Sequence, residues 1–208
     1  MSQSSPVVRR WLAGPLPRDV SLALDRLARS DDVCHVAVMP DVHLSEEICT
    51  GTVVATRRLL YPNAVGNDIG CGMAALRFHG DCGQLADEQA AARLLAGLYR
   101  IIPAIRHGRA TAPLELPSGL ADLPLSDGRL EKLKSRDGRV EFATLGRGNH
   151  FVEFQADESD QLWMMLHSGS RAIGRAIKEH HLANAKLSSS GLQYLDARAM
   201  RAAVILRI

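Results

Sequence analysis

Apolar positions recur at helical spacing across residues 17–30, where Val20, Leu22, Ala23, Leu24 and Leu27 predict an amphipathic helix. An apolar run from Val33 to Met39 stops at Pro40-Asp41, which predicts a buried strand whose end presents Asp41 and His43. The β-branched stretch Gly51–Thr56 predicts a second strand, and Ala74–Phe78 a third. From Leu85 to Ile102 the pattern turns alanine- and leucine-rich, a helix that Pro103 closes. Residues 103–139 hold four prolines and several glycines with little periodicity, the mark of a long loop. Val140–Leu145 and Phe151–Gln155 then predict strands flanking a glycine turn. Leu162–Leu166 predicts another strand, ending at His167, and residues 171–187 a helix that starts just after Ser168-Gly169-Ser170. Strands and helices alternate irregularly, so the expected class is α+β, with mixed sheets and flanking helices, and not a regular parallel α/β sheet.

Composition narrows the setting. A chain of 208 residues suits one domain with ample core, and 46% hydrophobic with 23% charged residues is ordinary for a globular protein. The net charge of +2 gives no global basic field, although 25 Lys and Arg leave room for a local basic groove. Cysteines 34, 49, 71 and 82 form neither a CxxC pair nor a zinc-ribbon spacing, which favours reduced thiols in a cytoplasm. Residues 1–10 are polar and lack the apolar centre of a signal peptide. No apolar run reaches the length of a membrane span, so a soluble cytoplasmic protein without a membrane partner is expected. The absence of GxxxxGK[ST] argues against a P-loop ATPase, and the absence of GxSxG makes Ser170 a poor hydrolase nucleophile.

Three glycine-bearing segments carry the chemistry. Asn63–Met73 sets Asp68 and Cys71 three residues apart among Gly66, Gly70 and Gly72. Leu145–Phe151 brings His150, and His167-Ser168-Gly169-Ser170-Arg171 brings His167. Read singly, Asp68 suits a turn cap and Cys71 a small buried hydrophobe. Read together, Asp68, Cys71, His150 and His167 are one metal centre assembled from three loops. A thiolate, a carboxylate and two imidazoles suit borderline metals such as Zn, Mn, Fe or Co, and a thiolate can bridge two ions. Ser168 to Arg171 before a helix suits either an anion site or a plain N-cap by Ser170; both stay open. Gly146-Arg147-Gly148-Asn149 suits a nucleotide phosphate or base. Asp41 with His43 is a second carboxylate–imidazole pair that could orient a metal ligand or simply form the turn after a strand. His35, His79, His107, His180 and His181 lack glycine context and read as surface or core histidines, and Cys34, Cys49 and Cys82 as structural.

The segments Met39–His43, Ala64–Met73, Thr144–Phe151 and His167–Arg171, in this order, resemble the RtcB family of RNA-splicing ligases, over about residues 35–196. The resemblance implies a GTP- and Mn²⁺-dependent enzyme that joins an RNA 3′-phosphate or 2′,3′-cyclic phosphate to a 5′-hydroxyl, as in tRNA splicing and RNA repair. It makes Asp68, Cys71, His150 and His167 manganese ligands, with Cys71 bridging two ions. It makes Asn149, His150, Phe151, Val152 and Glu153 the GTP-binding segment, and sets Asp41 near the metals as possible catalytic support. The family works through a histidine–GMP intermediate, and no residue here matches that GMP-accepting histidine or the family's further ligand histidine. The expectation is therefore a single RtcB-like domain, 1–208, C-terminally truncated relative to the family, with an incomplete RtcB-like fold. Its partners would be GTP and RNA with 3′-phosphate and 5′-hydroxyl ends. The alternatives are a catalytically impaired remnant that binds metal or RNA ends and self-associates through exposed apolar surface, or a metal-dependent phosphoesterase. Ser45, Arg147 and Ala172 stand where the family usually has glycine.

Overall fold

The computed structural model describes residues 5–67 and 69–198. Its elements run β1 (Val7–Arg10), α1 (Arg18–Ala28), β2 (Val33–Ser45), β3 (Ile48–Thr56), β4 (Leu59–Leu60), α2 (Pro62–Val65), β5 (Gly72–Asp81), α3 (Glu88–Ile101), α4 (Ser118–Ala121), α5 (Gly128–Leu133), α6 (Arg139–Glu141), β6 (Phe151–Ala156), β7 (Gln161–Ser168), α7 (Arg171–Leu182), β8 (Lys186–Leu187) and β9 (Gln193–Asp196). The class is α+β, as the irregular alternation of patterns predicts. The described residues fall into two compact units, one of residues 5–67 with 177–198, the other of 69–176.

In the first unit, α1 buries Val20, Leu24 and Leu27, one stripe of a 3.6-residue repeat. That stripe packs with Val33, Val36 and Val38 of β2, Ile48 and Cys49 of β3, and Leu59, Tyr61 and Leu192. β1 pairs parallel with β2, and β2 antiparallel with β3. β4, β9 and β8 form a second small antiparallel sheet. Asp32, at φ 66°, ties the next connection down: its Oδ2 accepts the N–H groups of Arg57, Arg58 and Leu59 at 3.0, 2.6 and 2.8 Å.

The strand expected to stop at Pro40-Asp41 instead continues to Ser45, through an irregularity. Val38 faces Thr52 and His43 faces Thr50, so the stretch between them is longer on β2 than on β3. Pro40 has no N–H to give a ladder and is tolerated in such a bulge. Opposite it, Gly51 takes φ +74°, and a Cβ there would stand 2.9 Å from Asp41 Oδ1 and from Val42 N and Cα. Glycine at 51 is what lets β3 close on the bulge that carries Asp41.

The second unit is built on an antiparallel sheet of order β5-β7-β6. Directly opposed residues share a face. Ala74, Leu166 and Val152 make one row, and Leu76, Met164 and Phe154 the next, on a continuous apolar face. Phe78 and Phe154 meet at 6.0 Å on it. The opposite face begins with Met73, His167 and Phe151 in one row. None of the described side chains of these strands is buried; Met73, Leu76 and Phe78 are exposed.

Elsewhere three boundaries shift. Asp87 caps α3 through the N–H groups of Gln89 and Ala90, starting the helix at Glu88 and not at Leu85. The region 103–139, expected as a loop, carries the short helices α4 and α5, the latter capped by Asp127. The helix expected over 171–187 ends at Leu182, where the chain turns through Ala183–Ala185 into β8.

The strand expected over Val140–Leu145 is absent. Residues 139–141 are helical, Ala143 takes φ 56°, and the backbone bonds locally and to the 103–107 segment (His107 N–H to Val140 O 2.8 Å, Leu145 N–H to Pro103 O 3.0 Å). The Thr144 hydroxyl donates to Glu141 O at 2.6 Å, fixing the turn. Val140, Phe142 and Thr144 carry strand propensity, but it only pays where a pleated neighbour exists, and turn bonding wins here.

Candidate metal centre

β7 runs antiparallel to both its neighbours, so β5 and β6 start at the end of the sheet where β7 finishes. Cys71 immediately precedes β5, His150 immediately precedes β6, and His167 is the penultimate residue of β7. Strand order thus collects three side chains that lie up to 96 residues apart in the chain. The Cys71 thiol and one nitrogen each of His150 and His167 all fall within 4.8 Å of one another. Cys71 is exposed and both histidines are half-buried, so the cluster opens to solvent on the thiol side.

The glycine loops set these positions. Gly70, just before Cys71, has φ 78°, and Gly146 and Gly148, just before His150, have φ 106° and 76°. Those are conformations that a side chain resists, and they aim the strand starts. His167 Nδ1 stands 2.9 Å from the Asn149 carbonyl oxygen. A carbonyl only accepts, so Nδ1 holds the ring proton and Nε2 keeps its lone pair, facing the Cys71 sulfur to which it is hydrogen-bonded. The rings of His150 and Phe151 pack edge-on to His167, at 5.3 and 5.6 Å between centroids. The imidazole is therefore fixed in tautomer and in orientation. This donor set fits a borderline divalent metal: one thiol, two imidazoles, and a backbone carbonyl behind one of them.

Asp68, expected as the carboxylate ligand, lies outside the described residues. Asp41 lies in the first unit, exposed, on the β2 bulge, where its carbonyl oxygen stands 2.8 Å from His43 Nδ1. Of the segment 149–153, Asn149 supplies the carbonyl that orients His167, and Phe151 the ring beside it. Val152 falls on the apolar face, whereas Glu153 follows Phe151 on the His167 face, where its carboxylate accepts from the Gln155 amide.

The Ser168–Arg171 segment is occupied otherwise than an anion site would need. The Ser168 hydroxyl donates to Leu145 O at 2.8 Å, and the Glu141 carboxylate takes the Ala172 N–H at 3.1 Å. Ser170 Oγ is buried and has no hydrogen-bond partner among the described residues, so it is not the cap of α7; the Arg171 side chain lies outside the described residues. Glu141, a residue that composition and spacing never singled out, does that work. Only the tertiary path of the 139–146 turn brings it there. At the positions where glycine is usual in the family, Ser45, Arg147 and Ala172 are all absent from the residues at positive φ. Side chains there cost no backbone strain.

The family model described as tRNA-splicing ligase RtcB matches residues 24–124 and 123–205. The chain belongs to the RtcB family. RNA-splicing ligase RtcB of Escherichia coli K12 is 37% identical over 194 residues, covering 85% of this chain and 46% of that protein. RtcB1 of a second Escherichia coli strain matches to the same extent, 37% over 194 residues. The tRNA-splicing ligase RtcB of Pyrobaculum aerophilum is 26% identical over 195 residues, 70% of this chain and 39% of its own length. The chain spans about half the length of the curated relatives it matches. No described helix is long and apolar enough to cross a membrane.

Proposed function

We propose that this chain is the metal-binding part of a GTP- and Mn²⁺-dependent RNA ligase, joining an RNA 3′-phosphate or 2′,3′-cyclic phosphate to a 5′-hydroxyl. One observation carries the reading: in a chain of the RtcB family, Cys71, His150 and His167 converge to within 4.8 Å at one end of a sheet. Asp68 would complete the ligand set from the loop before Cys71. Cys71, the most exposed of the three, would hold the metal from the solvent side. When bound, the metal neutralises phosphate charge and polarises the phosphorus toward attack. The chain's own part is positional. The Asn149 carbonyl keeps the His167 proton on Nδ1, Phe151 restrains the ring, and of the expected GTP segment Asn149, His150, Phe151 and Glu153 would meet the GTP phosphates, Val152 serving from the other face of the strand. Arg147, exposed between two glycines, adds a guanidinium to that approach. No side chain of this sequence is assigned as the GMP acceptor, so metal and nucleotide binding are expected of the chain and self-guanylation is not.

Calorimetry with Mn²⁺ and Zn²⁺ tests the reading. Wild-type protein should bind, and Cys71→Ala should lose the binding; undiminished affinity in the variant sinks the proposal. Incubation with labelled GTP and Mn²⁺ separates the alternatives. An acid-labile protein–GMP adduct would show that an acceptor is present after all, and RNA-end or metal binding without an adduct supports the impaired form. The four cysteines are free, which favours a reducing, cytoplasmic setting. Leu76 and Phe78, exposed on the apolar face of the β5-β7-β6 sheet, favour self-association through it. Sedimentation of Leu76→Glu against wild type checks it, a purely monomeric wild type being the adverse result.

A further inference from the structure

A second candidate site lies in the first unit and uses none of the residues Cys71, His150 and His167. The end of α1 and the serine turn before β9 enclose a hollow of ≈ 360 Å³ lined by Arg26, Arg29, Ser189 and Ser190. We propose that this hollow binds one backbone phosphate of an RNA strand, gripped by the guanidiniums of Arg26 and Arg29. The proposal rests on the RNA reading above for its ligand, but not on the metal centre.

The two arginines are three residues apart on a helix and so share a face. Neither forms an ion pair among the described residues. One Nη2–H of the Arg26 guanidinium donates to the Glu47 carbonyl oxygen, which fixes the head group without cancelling its charge. The Arg29 side chain has no acceptor among the described residues. Guanidinium forks without a carboxylate partner are the usual means of holding phosphate oxygens.

The rim is preorganised by a chain of hydroxyls whose direction can be worked out. Ser30 Oγ donates its single proton to Arg26 O at 3.0 Å. Ser190 Oγ, 2.5 Å from Ser30 Oγ, must then donate to it, and Ser188 Oγ, 3.0 Å from Ser190 Oγ, must donate to Ser190. Ser188 is left to accept the Leu192 N–H, at 3.1 Å. Ser30 and Ser188, the two ends of this wire, are 3% and 8% exposed, and the wire pins the turn to the helix. Asp31, next to Ser30, already receives the Ser189 N–H and hydroxyl at 3.0 and 2.7 Å. With every serine proton spent internally, the donors left at the hollow are the two guanidiniums, and these suit the acceptor-only oxygens of a phosphodiester.

The test is fluorescence anisotropy of a labelled single-stranded RNA in EDTA, across a salt series, so that a failed metal centre leaves the measurement intact. Arg29→Gln should weaken binding about 3- to 10-fold and reduce the log–log salt slope by about 0.7, the loss of one phosphate contact. Arg18→Gln, on the exposed start of the same helix, should change neither. Equal effects of the two substitutions would overturn the proposal, as would a wild type that does not bind RNA in EDTA. In parallel, inorganic phosphate is titrated in a thermal melt. A phosphate-dependent rise in Tm that Arg29→Gln abolishes, with RNA affinity unaltered, would reassign the hollow to a free anion and overturn the RNA claim.

Discussion

Replacing Gly51 with alanine should be far more damaging than the same change at Gly191, although both glycines have nearly the same φ, +74° and +80°. At either site the left-handed backbone costs an L-residue about 1–2 kcal/mol. At Gly191 nothing lies within 4 Å of the new Cβ, so that strain is the whole effect. At Gly51 the Cβ meets Val42 N and Cα and Asp41 Oδ1, each at 2.9 Å. Two of those three atoms are backbone and cannot swing aside. Either β3 lifts off the bulge or the bulge moves, and overpacking of this kind adds about 1–3 kcal/mol. The expected totals are about 2–5 kcal/mol for Gly51→Ala and about 1–2 kcal/mol for Gly191→Ala. Both residues belong to the first unit, so one transition reports both. Trp11, whose N–H bonds to Val38 O at 2.9 Å, senses β2 directly, and a Trp163→Phe background leaves it as the sole tryptophan. Urea titration by its fluorescence gives the two midpoints. Equal midpoints would refute the reasoning, because they would mean that the bulge carrying Asp41 yields freely and glycine is not needed there.

Leu27→Ala removes a side chain that is 0% exposed at the centre of the first unit while keeping a good helix former, so packing loss dominates. A cost of about 3–5 kcal/mol is expected from the urea midpoint, and a loss below about 1 kcal/mol would place the core elsewhere. Asp32 is pushed up by partial burial, but three backbone N–H donors outweigh this and hold its carboxyl below the ordinary value. A folded pKa below the unfolded one gives stability that is full above the ordinary carboxylate range and is lost as pH falls through the depressed folded value. Asn keeps the left-handed backbone at φ 66°, so Asp32→Asn isolates the charge. It should cost about 1–2 kcal/mol at pH 7, with the gap to wild type closing below about pH 4; a gap constant down to pH 2.5 would show that the carboxylate is not the source.

Much of this was legible beforehand because the patterns were local. The α1 stripe, the β3 segment Gly51–Thr56, and β6 and β7 were visible as periodicity, and Pro103 did mark the end of α3. The misses share a cause. Over Val140–Leu145, strand-forming residues sit where the neighbouring chain offers turn bonding and not a ladder, a fact of tertiary geometry. At Pro40-Asp41, proline signals a stop, yet a bulge with Gly51 opposite absorbs it. Cys71, His150 and His167, which the fold brings together, were singled out from residue type and glycine context; Glu141 and the Asn149 carbonyl were not. A backbone carbonyl leaves no mark in a sequence, and Glu141 is one acid among many until the fold brings it to the Ala172 N–H.

The way the candidate centre is assembled also explains why its donors come from loops of such different length. In an antiparallel sheet of order β5-β7-β6, the two outer strands must begin at the end where the central one finishes, whatever chain intervenes. The 78 residues between Cys71 and His150 can therefore hold α3 and the irregular 103–146 region without disturbing the donors, since only strand register matters to them. Register is a discrete quantity: sliding β7 by one residue would send His167 to the apolar face beside Val152, and no side-chain adjustment could bring it back. The Met73–His167–Phe151 row is thus the structural condition on which any metal chemistry of this chain depends. It also means that the centre should fail abruptly, and not by degrees, when pairing in this sheet is disturbed.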